Sequence, residues 1–154
     1  MKTDKILKKI VEALSLKNDE IQAIFRLENH PIEIDYISNM LLDDKKEDFI
    51  SCSYNELGLF LDGLISSKRG ASTSSRKDEI IELSNNVILK KIRVALELKS
   101  SELVILFALV DIELKVHEIN SLFRKEGTKN YKSCSDELLY KFLEGLDEFY
   151  YDGV

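Results

Sequence analysis

The chain has 154 residues, of which 44% are hydrophobic and 32% charged, with a formal net charge of −6. Such a composition belongs to a soluble globular protein with one ordinary domain or two very small ones, and its acidic balance argues against a generally basic nucleic-acid scaffold. Two cysteines are too few for a disulfide framework; the longest apolar run, Leu103–Val110, is too short to span a bilayer.

The sequence contains one unit twice. Residues 6–17, Ile-Leu-Lys-Lys-Ile-Val-Glu-Ala-Leu-Ser-Leu-Lys, return at 88–99 as Ile-Leu-Lys-Lys-Ile-Arg-Val-Ala-Leu-Glu-Leu-Lys. The register holds without a gap from Asp4/Asn86 to Ile65/Asp147, an offset of 82. Residues 4–65 and 86–147 are thus read as two helical repeats, with 66–85 as a linker. The N-terminus resembles a targeting peptide in its lysines. Its motif recurs inside the chain, however, so it is read as structure.

The first helix is predicted near Asp4–Leu16 and Asn86–Leu98. Its shared apolar positions, Ile6, Leu7, Ile10, Ala13 and Leu14 with Ile88, Leu89, Ile92, Ala95 and Leu96, form one helical stripe. Thr3 or Asp4, and Asn85 or Asn86, suit its cap. The second helix begins after Asn18 and Ser100 and ends near Leu27 and Leu109. The third segment alternates like a strand at Ile32-Glu-Ile-Asp-Tyr-Ile-Ser. Its counterpart breaks the alternation at Glu118, and Ile34, Ile37 and Leu41 match Val116, Ile119 and Phe123 at helical spacing, so a helix is predicted. Pro31 fits its first turn. Polar loops at 43–51 and 125–133 follow. The fourth helix starts with a capping box, Ser53 with Glu56, and carries Leu57, Phe60, Leu61 and Leu64, matched by Leu139, Phe142, Leu143 and Leu146. Gly63 and Gly145 are read as sites of close helix packing or as helix ends. The linker is small, polar and locally basic through Lys68, Arg69, Arg76 and Lys77.

Cys52 and Cys134 are equivalent in the repeat, which points to shared packing of two small buried thiols and fits a reducing, cytoplasmic compartment. Metal spacing is absent, with neither Cys-x-x-Cys nor His-x-x-x-His, and His30 and His117 are not equivalent. Gly70 and Gly127 lie in no phosphate-binding motif, and no serine sits in a nucleophile context. The expectation is a protein with no catalytic residues, no metal and no cofactor.

The two copies differ where function is to be sought. Gln22, Arg26 and Glu28 become Val104, Ala108 and Val110, so a polar face turns apolar. A helix apolar all round is a buried one, and the face is expected to pack on the first repeat or on a second chain. Val104, Ala108 and Val110 are the candidate interface. Residues 4–65 hold 7 basic and 13 acidic side chains; residues 86–147 hold 10 of each. The second and third helices also have the outline of a helix-turn-helix unit. In the second repeat Lys90, Lys91, Arg93, Arg124 and Lys125 could then meet phosphates, whereas the first repeat carries Glu33, Asp35, Asp43 and Asp44 there.

Three stretches carry a resemblance. They are Asn85 through Lys99, Lys68-Arg-Gly after the first copy, and Cys134-Ser-Asp-Glu-Leu-Leu followed by Phe142-Leu-Glu-Gly-Leu. Together they resemble the YehS-like family of uncharacterised bacterial proteins, built of a duplicated domain of unknown function, number 1456. The first copy departs from the pattern, with Ser53-Tyr-Asn-Glu at the start of its last helix and Val11 where the second copy has Arg93. The resemblance implies a two-repeat helical fold in the bacterial cytoplasm, and no activity or functional residue comes with it. An all-α tandem duplication is therefore expected, acting as a non-enzymatic protein-binding or regulatory module with a protein partner or itself. A helix-turn-helix-like nucleic-acid binder using repeat 2 is the alternative.

Overall fold

The computed structural model describes residues 2–70 and 83–151. These form eight helices: α1 (Thr3–Leu14), α2 (Asn18–Arg26), α3 (Ile34–Met40), α4 (Tyr54–Arg69), α5 (Asn85–Leu96), α6 (Ser100–Ala108), α7 (Val116–Leu122) and α8 (Asp136–Phe149). Each repeat supplies four in the same order, and the described residues contain no strand. The ambiguous third segment is a helix of two turns in both copies.

Several boundaries differ from the sequence reading. Helix α4 continues through Ser66–Arg69, residues assigned to the linker; Arg76 and Lys77 lie outside the described residues. Pro31 precedes α3, whose N-cap is Glu33. Lys2 and Ser84, rather than Thr3/Asp4 and Asn85/Asn86, occupy the caps of α1 and α5. The displaced polar residues reach across the repeat instead. Cys52 N–H donates to the Asp4 carboxylate at 2.6 Å, and Cys134 N–H donates to Asn86 Oδ1 at 2.8 Å. At equivalent positions, then, α1 and α5 tie down the chain just before α4 and α8.

The way the repeats join is the main architectural finding. Within a repeat, the second helix packs on the fourth, with the third against the second. The first helix finds its main partner in the other repeat: α1 packs on α8, and α5 on α4. Exchanging the repeats maps one seam onto the other, so the two units are related by an approximate two-fold and lend each other their first helices. The stripes explain the seams. Ile6, Leu7 and Ile10, with Ile88, Leu89 and Ile92, are all buried in one core shared by both repeats. A 62-residue repeat folding alone buries about 60% of its chain surface, which is marginal; the exchange gives both halves a common interior.

Equivalent lysines sit at these seams. Lys91, 9% exposed, runs through the α4/α5 contact and pairs with Asp62. Lys9 lies over the Tyr140 ring at 4.5 Å in the α1/α8 contact. Arg69 pairs with Glu97 at 2.8 Å further along, and the order of the pairs, 62 with 91 and 69 with 97, shows that α4 and α5 run in the same direction.

Candidate functional site

Helix α6 carries Val104 and Ala108 where its copy α2 has Gln22 and Arg26, and its periodicity decides which side chains it hides. Leu103, Leu106 and Phe107 are buried, spaced i, i+3, i+4 as one face of a helix requires. Phe107 meets Phe142 of α8 with ring centroids 5.9 Å apart, and the α6 backbone closes on Gly145. The opposite face is left outside. Ile105 is 54% exposed and Leu109 48%; Ala108 lies exposed between them, with Val104 and Val110 half-buried at the flanks. Val116 at the start of α7 is also 49% exposed.

The expected burial of this face against the first repeat is not what the structure shows. The neighbours of α6 are α7 and α8 of its own repeat, because the inter-repeat seams use α1/α8 and α4/α5. Among the named candidates, Ala108 is exposed and Val104 and Val110 are on the margin. Ile105 and Leu109, more prominent than any of them, were not singled out from sequence. The signal was present, since their repeat counterparts Ala23 and Leu27 fall outside the shared stripe of Ile21, Ile24 and Phe25.

In the first repeat the same positions are chemically different. Gln22, the counterpart of Val104, donates from Nε2 to the Ile32 carbonyl at 2.9 Å and ties α2 to the loop before α3. Arg26, the counterpart of Ala108, is exposed. At the N-terminal edge of the second-repeat face, Tyr150 packs against Phe149 edge-on at 5.3 Å. Burial, with the nearby Glu102 carboxylate in the first turn of α6, pushes the Tyr150 phenol above its usual range. The aromatic tail therefore borders the apolar face and leaves Ile105 and Leu109 uncovered.

Of the five candidate phosphate contacts, two are engaged within the fold. Lys91 is committed to Asp62 inside a seam. Arg93 donates to the Leu98 carbonyl at 2.9 Å and to Ser100 Oγ at 3.0 Å, and stacks over Phe123 at 4.5 Å; it closes the α5–α6 corner, and burial lowers its pKa. Lys90, Arg124 and Lys125 are exposed. The connections between second and third helices, 27–33 and 109–115, are also longer than the turn of a DNA-reading helix-turn-helix.

An open groove of about 720 Å³ lies where α1 meets α8. Its rim alternates Lys2, Lys5 and Lys141 with Asp136 and Glu137, so it favours neither sign of charge. Cys52 and Cys134 are buried free thiols, each donating to the carbonyl of the next serine at 3.4 Å, in the shared packing role read from their spacing. Among the described residues no three metal-ligating side chains gather, and no helix is long and apolar enough to cross a membrane.

The sequence signature of a family described as "Protein of unknown function (DUF1456)" matches the chain twice, over residues 4–70 and 85–150. The chain is 31% identical over 147 residues to the "Uncharacterized protein YehS" of Escherichia coli (strain K12), covering 95% of this chain and 94% of that protein. No solved structure matches it.

Proposed function

The chain belongs to the DUF1456 family, a membership that brings no reaction with it, and we propose that it is a non-catalytic protein-binding module whose contact surface is the outer face of α6. The observation that carries this reading is the exposed row Ile105, Ala108 and Leu109 on a helix whose repeat counterpart presents Ala23, Arg26 and Leu27. Contiguous apolar surface costs solubility unless something covers it. A small residue between two branched ones also makes the shallow dent into which the ridge of another helix packs. The occupant that fits is an apolar protein helix.

A photo-crosslinking side chain placed at position 108, with a control at position 26, tests the reading in living cells. A discrete protein adduct is expected from position 108 and none from position 26. No adduct at 108, or equal adducts at both, overturns it.

A further inference from the structure

We infer that the helix seated on α6 is α6 of a second copy, the two crossing antiparallel about a two-fold axis near Ala108. This deepens the reading of α6 as a protein-contact face and rests on it. Three observations select this occupant. First, a two-fold contact must be self-complementary, and α6 is: Ala108 lets the two backbones approach, with Ile105 of each copy against Leu109 of the other. Second, repeat 2 carries 10 basic and 10 acidic residues whereas repeat 1 carries 7 and 13. Contact through repeat 2 joins the neutral halves and holds the two acidic halves apart, which limits self-repulsion. Third, the counterpart surface on repeat 1 has Arg26 at the centre, so the contact closes as a pair and does not propagate into a chain.

The apolar row is only part of the roughly 800 Å² per partner that a stable interface buries, so a reversible dimer in the micromolar range is expected. The test is sedimentation of the full chain from about 1 to about 200 µM, concentrations that bracket such an affinity. Mass should rise from 17.7 kDa towards twice that value. The double substitution Ile105→Ala with Ala108→Arg transplants the residues of repeat 1, where the same helix tolerates them, so the fold is kept. It should stay monomeric throughout with an unchanged circular dichroism spectrum.

A wild-type mass of 17.7 kDa at the highest concentration overturns the inference, as does a double variant that dimerises like the parent. If the protein is monomeric yet position 108 still crosslinks to a protein of another mass, only the identity of the occupant falls. If position 108 crosslinks to nothing, both readings fall together.

Discussion

At the level of single residues, the two copies show one frame solved with different chemistry. Glu56 in the first repeat accepts from Ser53 N–H at 2.9 Å and from the Tyr36 hydroxyl at 2.8 Å, holding the α4 cap and α3 with one carboxylate. In the second repeat that position is Leu138, and the cap rests on the Ser135 hydroxyl accepting from Leu138 N–H at 3.1 Å. The cysteines stayed alike because their role is spatial. Burial raises the Cys52 thiol from 9.0 to about 12 and Cys134 to about 11; the hydrogen bond to Glu56, then burial, raises Tyr36 to about 12. Raised pKa values hold the proton more tightly in the folded state, so this stability is complete below pH 9 and drains away as pH climbs to 11–12. Urea unfolding followed from pH 8 to 11 should show stability falling, by up to about 1.4 kcal/mol per pH unit for each thiol. Replacing both cysteines by alanine should flatten that slope, whatever it does to stability at pH 7.

At the level of helices, glycine marks the tightest contacts. A Cβ on Gly145 would stand 2.6 Å from the Leu106 carbonyl oxygen, and one on Gly63 would collide with the Ile24 carbonyl. Gly58, on the same helix as Gly63, faces open space. Gly145→Ala should therefore cost about 1–3 kcal/mol by forcing α6 off α8, while Gly58→Ala should gain about 0.5–1 kcal/mol from helix propensity alone. Thermal unfolding of the two variants checks both signs. This contrast also marks how far the sequence could be read. The repeat register, the helical third segment and the Ser53/Glu56 box were legible, because each follows from local spacing or from agreement between copies; of the two readings of Gly63 and Gly145, close packing holds and a helix end does not, since α4 and α8 run on past them. Lys91 was not. On the helix it occupies an ordinary cationic position beside Lys90, and only the α4/α5 contact with Asp62 makes it internal. The face of α6 was legible as a difference between copies, with the first repeat or a second chain as its cover; the structure excludes the first repeat, which sequence could not do, since an apolar stretch does not say which neighbour covers it.

For the whole molecule, the same limit applied to the seams: the stripe on α1 announces burial, but Ile6 and Ile10 cannot say whether the wall they meet belongs to their own repeat or the other. Because α4 and α5 run in parallel, the chain must return from the end of α4 to the start of α5, about 18 Å of helix rise. Deleting residues 71–82 leaves only Gly70, Leu83 and Ser84 between those helices, which reach about 14 Å at most. In the Ile105→Ala, Ala108→Arg background, that deletion should convert a monomer into a dimer that forms its seams between chains, seen by light scattering. A Gly/Ser segment of the original length in place of 71–82 should leave the monomer intact. The borrowed first helix also sets a schedule during synthesis. About 135 residues separate the end of α1 from the end of α8, and a ribosome adding about 5–20 residues per second needs about 7–27 s to make them. Throughout that interval the nascent chain carries the greasy side of α1 without its main wall, so the newborn protein, unlike the finished one, is a natural client for a chaperone waiting at the exit tunnel.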